Sequence, residues 1–476
     1  FSNAGTFILN SDSDEFSSLI IGGSVTGNIT YNRYVNSVGT NEWDLIGAPV
    51  SGQSINSFVT ANTSTLATNG ATKAIGYYNN TDNTWTNYTT STIVGAGNFP
   101  LGKGFQMATN ANGTGILSFT GAPTATNQTW TIIDNDAANS GAGTRWNLVA
   151  NPFPSYIYGN ANADSSHNFL TVNSDKLNDS YEAIYGYDAD GSGYTVYNNT
   201  SAALRLAPGQ AFMVASDNAE NDTISFTTAM RTTTGGDDLI VGRDPIDSFE
   251  LVLKLYEGDS EIDHTKFYFG DGLSLNLDPG YDAGHFNQGA SLMSRLVEED
   301  EGVGLVINAM GLESVNDVVA PLELNREAGN NFRISIGTFN IDTAINVYLE
   351  DNVQETMTLL NDQDFELTAE NELSGVGRFF IHLTETLLSI DDKIETNYLN
   401  VFKADVNNFI TVEGLANQSN GTKLRLYTIR GKEVTFTTLN NTNNKQTIST
   451  QGLSTGIYIV KLESGNILLT KKLFIK

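Results

Sequence analysis

The sequence predicts an all-β protein, built of tandem β-sandwich or jelly-roll-like domains and ending in a small antiparallel β-sandwich. Apolar residues alternate with polar ones over many short stretches, for example at Leu251, Leu253 and Leu255. A period of two is the spacing of a strand that buries one face. The chain also has 45 glycines, with Asn, Asp and Thr clusters that supply turns. Helical periodicity is nearly absent, and residues 289–297 could form at most a turn or two of helix.

The length of 476 residues corresponds to about three domains of ordinary size, each able to bury its own core. Composition and internal patterns divide the chain further. We predict the end of a repetitive β-structure at 1–30, one β-domain in two copies at 31–126 (copy 1) and 127–235 (copy 2), a further β-sandwich at 236–386 (the third sandwich), and a C-terminal module at 387–476.

The first 30 residues differ in pattern from the rest of the chain. Short runs at 19–24 and 26–31 resemble the last rungs of a repetitive β-structure. The chain begins within this pattern, at Phe1, so we expect it to be the end of a longer polypeptide.

An internal repeat organises residues 31–235. The segment Trp-Asp-Leu-Ile-Gly-Ala-Pro at 43–49 matches Trp-Asn-Leu-Val-Ala-Asn-Pro at 146–152. Three further blocks match in the same order, and the numbering offsets of the four blocks lie between 103 and 109. The repeat predicts two domains of one topology, in which Trp43 and Trp146 are equivalent and buried in the core.

Charge and composition exclude several classes of function. The formal net charge is -29, so phosphate-rich surfaces are repelled and nucleic acid is not expected as a partner. The chain has no cysteine, which excludes disulfides, zinc-thiolate sites and cysteine nucleophiles. No apolar run is long enough for a membrane-spanning helix. Residues 387–476 differ in charge from the acidic chain as a whole, because they hold more basic residues (11) than acidic ones (7).

Catalytic motifs are absent from the sequence. The chain has four histidines, and neither a Gly-x-Ser-x-Gly elbow nor a His-Glu-x-x-His motif is present. We therefore expect a protein without a catalytic site. Asp188 and Asp190 stand at alternate positions before Gly191, which resembles the start of a calcium loop. No glutamate follows at the spacing that such a loop needs, so a polar turn is the better interpretation and calcium is a weak candidate.

Aromatic residues form the most prominent candidate binding site. Tyr78 and Trp85 in copy 1 correspond to Tyr187 and Tyr194 in copy 2. On the surface of a sandwich, such rings could bind glycans by stacking. Alternation predicts that about half of the aromatic residues in these hairpins point into the core.

Three motifs follow in order within the last 90 residues. The first is a Tyr-x-x-x-Gly-Lys-Glu-Val hairpin at 427–434, the second a Leu-Ser-Thr-Gly-Ile-Tyr strand start at 453–458, and the third the Lys-Lys-Leu-x-Ile-Lys terminus at 471–476. The tail resembles the type A C-terminal sorting domains of the type IX (Por) secretion system. In one departure from that family, Lys403-Ala404-Asp405 stands where a Pro-Asn-Pro element is usual.

The resemblance implies a route and a set of partners. The protein would pass through the periplasm, leave through the outer-membrane translocon with a carrier β-barrel, and reach the cell surface or the medium. The resemblance assigns the export signal to Tyr427, Gly431, Lys432, Glu433, Val434, Gly456, Tyr458, Lys471, Lys472, Leu473 and Lys476.

Two hypotheses for the exported part follow. The first is an adhesive or structural surface protein, with surface motility as one use. The second is a carbohydrate-binding accessory region of a larger secreted enzyme, whose catalytic domain would lie upstream of Phe1. Surface glycans are candidate partners under both.

Overall fold

The computed structural model describes residues 1–38, 43–111, 113–136, 143–188, 193–218, 220–236, 249–286, 289–341, 345–385, 400–403, 409–413, 415, 421–442, 445–465 and 467–475. The chain forms two compact units. The first consists of Phe1–Ile246 and Pro279–Ala283, and the second of Asp247–Asp278 and Gly284–Lys476.

The first unit begins with copy 1 and the strand that precedes it. Its elements are β1 Ile8–Asn10, β2 Ile29–Tyr34, β3 Asp44–Ile46, α1 Ile55–Ala61, β4 Thr68–Asn69, β5 Thr72–Asn79, β6 Thr84–Thr89, β7 Phe105–Met107 and β8 Ile116–Gly121. One sheet has the order β3-β7-β5-β4, with β6 paired to β5, and a second has the order β1-β2-β8. The β1–β2 pair is parallel, whereas β2 and β8 are antiparallel.

Copy 2 completes the first unit. Its elements are β9 Gln128–Ile132, β10 Trp146–Ala150, β11 Tyr156–Tyr158, α2 Phe169–Asn173, β12 Ile184–Asp188, β13 Gly193–Tyr197, β14 Arg205–Leu206, β15 Ala211–Ala215, β16 Asp222–Phe226 and β17 Arg231–Thr232. The main sheet has the order β10-β15-β12-β13, and smaller sheets join β14-β11-β17 and β16-β9.

The two copies have the strand order that the sequence repeat predicts. The run β3-β7-β5-β6 in copy 1 corresponds to β10-β15-β12-β13 in copy 2. A buried asparagine at the end of each helix joins the helix to a core strand. Asn62 donates to the Ser118 carbonyl and accepts from its amide, and Asn173 makes the same two bonds with Ser225. The sequence matching did not detect this pair, because the asparagines lie outside the matched blocks.

The prediction that Trp43 and Trp146 are buried is wrong, because both side chains are partly exposed. Ile46 and Val149 occupy inward positions of β3 and β10 and belong to the two cores. A residue three positions earlier on an alternating strand lies on the opposite face. Each tryptophan therefore lies on the outer face, where the Trp146 ring packs edge-on at 4.7 Å from the ring of Tyr185.

The second unit contains the third sandwich. Its strands are β18 Phe249–Glu257, β19 Ser260–Gly270, β20 Ala283–Gly284 (of which only Gly284 belongs to the second unit), β21 Ser291–Ser294, β22 Leu305–Gly311, β23 Asp317–Asn325, β24 Asn331–Asn340, β25 Asn346–Asp351, β26 Thr356–Leu359, β27 Phe365–Thr368 and β28 Val376–Thr384. The sheet runs in the order β26-β25-β28-β23-β21-β22-β19-β18-β24-β27 around one apolar core. The helical turn predicted within 289–297 is wrong, because Ser291–Ser294 is strand β21.

The C-terminal module follows the third sandwich in the second unit. Its strands are β29 Asn400–Lys403, β30 Phe409–Glu413, β31 Thr422–Thr428, β32 Glu433–Leu439, β33 Lys445–Ser449, β34 Gly456–Ser464 and β35 Ile467–Ile475. The sheets β29-β30-β33 and β32-β31-β34-β35 enclose a core of their own. The module is the small antiparallel sandwich that the sequence predicts, and the fold is all-β. Within the described ranges, no helix has the length and apolar character needed to cross a membrane.

Candidate functional site

The predicted aromatic residues form cross-strand pairs on the outer faces of two hairpins. Tyr78 on β5 lies opposite Trp85 on β6, with ring centroids 5.2 Å apart. Tyr187 on β12 lies opposite Tyr194 on β13, with centroids 5.4 Å apart. Directly opposed residues of an antiparallel pair share one face of the sheet, so each hairpin presents two neighbouring rings.

The structure brings the two pairs together. The Tyr78 hydroxyl donates to Asn83 Oδ1 and forms a second hydrogen bond with Thr144 Oγ1 of copy 2, both at 2.8 Å. Burial raises the pKa of Tyr194, and its proximity to Tyr187 and to Tyr78 raises it further. Tyr78 of copy 1 is thus close enough to Tyr194 of copy 2 to act on its charge, and we call the two ring pairs together the aromatic strip.

The rings of the aromatic strip are accessible in part. The Trp85 side chain is 38 % exposed, and Tyr78, Tyr187 and Tyr194 are half-buried. Because side chains alternate between the two faces of β5, Tyr77 lies on the face opposite to Tyr78 and packs against the core of copy 1. The strip therefore offers flat apolar faces and a phenolic hydroxyl edge, which is the chemistry that stacks on a sugar ring.

The calcium candidate gains no support from the described residues. Asp188 is the last residue of β12, but its side chain and all of Asp190 lie outside the described residues. Within the described ranges, no group of three His, Asp or Glu side chains is placed to hold a metal ion.

The histidines of the third sandwich pair with carboxylates. His285 Nε2 lies 3.0 Å from Asp263 Oδ1, and Asp263 Oδ2 accepts the Leu292 amide at 2.8 Å. These bonds hold the start of β21 beside β19. The expectation that this domain has no catalytic site stays a prediction.

The predicted hairpin of the C-terminal module is present. Strands β31 and β32 pair from Thr422 to Tyr427, and Gly431 adopts a φ of 80° in the turn between them. The Thr428 amide donates to the Lys432 carbonyl at 2.9 Å and closes the turn. Glu433 accepts from Arg425 at 2.7 Å, and Val434 packs against the core of the module.

The two remaining motifs form the hairpin of β34 and β35. Gly456 begins β34, and Tyr458 is buried with its hydroxyl donating to the Ser454 carbonyl at 2.9 Å. On β35, Leu473 lies in the core of the module, while the preceding Lys471 is half-buried. Lys476, the last of the predicted signal residues, lies outside the described residues.

A polar cluster that no sequence motif predicts surrounds Lys472. Its ammonium lies 3.2 and 3.4 Å from the two ring nitrogens of His382, whose Nε2 lies 2.6 Å from Glu350 Oε2. Burial lowers the pKa of both Lys472 and His382. The three residues are far apart in the sequence, and no local motif marks them.

Comparison with known protein families separates the body of the chain from its tail. Residues 2–382 match a family model described as Domain of unknown function (DUF8693). Residues 404–476 match a model described as Secretion system C-terminal sorting domain. A search of curated proteins found no match. The tail is therefore a type IX sorting domain, and the protein is cargo exported to the cell surface or the extracellular space.

Proposed function

This chain belongs to the family described as Domain of unknown function (DUF8693), and for this type IX cargo we propose an adhesive role at the cell surface, through glycan binding and without catalysis. The observation on which the proposal rests is the aromatic strip of Tyr78, Trp85, Tyr187 and Tyr194. Each copy contributes two of the four rings, so the repeat itself would build the binding surface. Attachment to a surface polymer is also the contact that surface motility needs.

The chemistry of the strip sets the expected affinity. If each ring contact contributes about 1 kcal/mol, four contacts give about 4 kcal/mol, which corresponds to a dissociation constant near 1 mM. Such weak binding suits adhesion, because many copies on one cell act together. The net charge of -29 favours neutral glycans over acidic ones.

A glycan array followed by titration tests the proposal. Trp85→Ala should weaken binding of the best neutral oligosaccharide roughly fivefold, the change expected for a loss of about 1 kcal/mol. Tyr194→Ala should weaken it as well, because the strip spans both copies. Phe7→Ala is the matched control, since Phe7 is an aromatic residue with the same 38 % exposure elsewhere in the first unit. The proposal is wrong if the unaltered chain binds no glycan at millimolar concentration.

The second candidate function is a carbohydrate-binding accessory region of a larger secreted enzyme. The same aromatic strip supports it. Incubating the natural full-length protein with the bound glycan separates the two candidates. Shortened glycan products would favour the accessory region, and unchanged glycan would favour adhesion. For the export step we propose the outer-membrane translocon and a carrier β-barrel as partners of the C-terminal module.

A further inference from the structure

The outer face of the last hairpin carries two large apolar side chains. Ile457 on β34 lies directly opposite Phe474 on β35. Their neighbours Tyr458, Leu473 and Ile475 point into the core of the C-terminal module. Alternation therefore directs Ile457 and Phe474 away from that core. Yet they are only 3 % and 7 % exposed, so another part of the chain covers them.

The third sandwich provides the cover. Ile457 and Phe474 form one buried apolar cluster with Val319 of β23 and Phe380 of β28. Val318, Ala320, Phe379 and Ile381 point into the core of the third sandwich, so Val319 and Phe380 lie on its outer face. The contact thus joins two outer sheet faces, each of which belongs to a domain with its own core.

Charged groups of opposite sign surround this apolar contact. Arg430 Nε of the module lies 2.7 Å from Glu298 Oε1 of the third sandwich. Lys472 lies beside His382 and 3.9 Å from Glu350 Oε2. The cations of these pairs belong to the module, and the carboxylates belong to the body. This arrangement follows the charge difference between the basic tail and the acidic remainder of the chain.

We propose that this face is the docking surface of the C-terminal module, and that the module alternates between two states. In the docked state the third sandwich covers Ile457 and Phe474. In the undocked state the same face is free for an external protein with an apolar centre and a rim of carboxylates, the chemistry that the third sandwich presents at the contact. The third sandwich then competes with the export machinery for the last strand, β35. The contact therefore regulates access to the export signal in the C-terminal module.

The size of the contact favours reversibility. The apolar cluster has four buried members, and the rim pairs are partly exposed, with the Arg430 side chain 68 % exposed. Exposed ion pairs are weak and are screened by salt. Docking should therefore be lost before either domain unfolds.

The absence of cysteine in the chain allows a direct test by crosslinking. Glu298→Cys and Arg430→Cys, introduced together in the full chain, place two thiols at the Arg430–Glu298 contact for a short bis-maleimide reagent. In this background Glu350→Gln removes the counter-ion of Lys472 at a different part of the rim. The intramolecular crosslinking rate should then fall roughly threefold. Glu366→Gln is the matched control, because Glu366 is exposed on β27 of the same sandwich.

Two results would overturn the docked state. One is the absence of intramolecular crosslinking when Glu350 is intact, and the other is an equal rate in Glu350→Gln and Glu366→Gln. Lys472→Gln, which removes the opposite member of the pair, must have the same effect as Glu350→Gln. Binding of the dye anilinonaphthalene sulfonate should rise in both variants at unchanged far-ultraviolet circular dichroism, because the apolar face becomes free.

Export from a bacterium with a type IX system tests the external partner. Glu350→Gln leaves the module unchanged and should reach the cell surface at least as fast as the unaltered chain. Phe474→Asp alters the docking surface itself and should accumulate in the periplasm. Normal surface display of Phe474→Asp, or slower display of Glu350→Gln, would refute the role of this face in export.

Discussion

At the scale of single residues, Glu182 is the most perturbed carboxyl group of the first unit. It follows the 3₁₀ turn Asp179–Tyr181 and is only 6 % exposed. Burial raises its pKa to about 7, and the negative charge of Asp179 adds to the rise. Gly280 packs so closely against it that a Cβ there would lie 3.1 Å from Glu182 Oε1. Among the described residues, no cation contributes to the pKa of Glu182, so nothing there offsets the cost of burying its ionised form.

The stability of the first unit should depend on pH through Glu182. The pKa of Glu182 is higher in the folded state than in the unfolded state. Its contribution to folding stability is therefore fully present below about pH 4.5 and is lost as the pH rises through about 7. Glu182→Gln should remove this loss and raise the free energy of unfolding at pH 8 by about 2–3 kcal/mol. Chemical denaturation at pH 5 and pH 8 measures the difference. Glu220→Gln, at an exposed position, is the control and should change neither value.

At the scale of elements, Asn151 fixes the turn that follows β10. Its Nδ2 donates to the carbonyls of Ser155, Leu206 and Ala207, while Oδ1 accepts the Phe153 amide at 3.0 Å. Its side chain is fully buried. In copy 1 the equivalent position is Ala48, so only copy 2 depends on a side-chain amide at this turn.

Replacing Asn151 should destabilise copy 2. Asn151→Ala leaves buried carbonyls and an amide without partners, and should lower the free energy of unfolding by about 2–4 kcal/mol. Asn162→Ala is the matched control. Asn162 also donates to two carbonyls, those of Asn199 and Ser201, but its side chain is exposed, so water replaces the lost bonds. Equal losses in the two variants, measured by urea unfolding, would contradict this account.

The elements that sequence analysis missed have a common physical cause. Strand β21 is buried on both faces, so its residues show no alternation, and a short buried strand cannot be distinguished from a helical turn by pattern. Helices α1 and α2 span two turns or fewer, too short for a clear period of 3.6. The long alternating strands of the third sandwich, such as β18, could be predicted because one face is buried and the other is not.

At the scale of the whole molecule, the all-β fold class and the nature of the tail could be predicted from the sequence. Repeated blocks and ordered motifs are local signals, and they predicted two β-domains of one strand order and a sorting domain. The aromatic strip could be predicted only as two separate pairs, since its assembly depends on contacts such as Tyr78 with Thr144. The cluster of Glu350, His382 and Lys472 could not be predicted, because it arises where two folded domains meet.

The last strand should be needed for export but not for the fold of the body. Deleting residues 471–476 removes Leu473 and Ile475 from the core of the C-terminal module. The deletion also removes Phe474 from its contact with the third sandwich. The cores of copies 1 and 2 and of the third sandwich lie between residues 29 and 383, so residues 31–386 should stay folded. We expect the truncated chain to accumulate in the periplasm with a protease-resistant body. Surface proteolysis and fractionation of cells measure both properties.

Phe436→Ala, which alters an aromatic residue that is 51 % exposed in the same module, should be displayed normally. Display of the truncated chain at the normal level would show that export reads the signal elsewhere, and unfolding of the body would show that its domains depend on the tail.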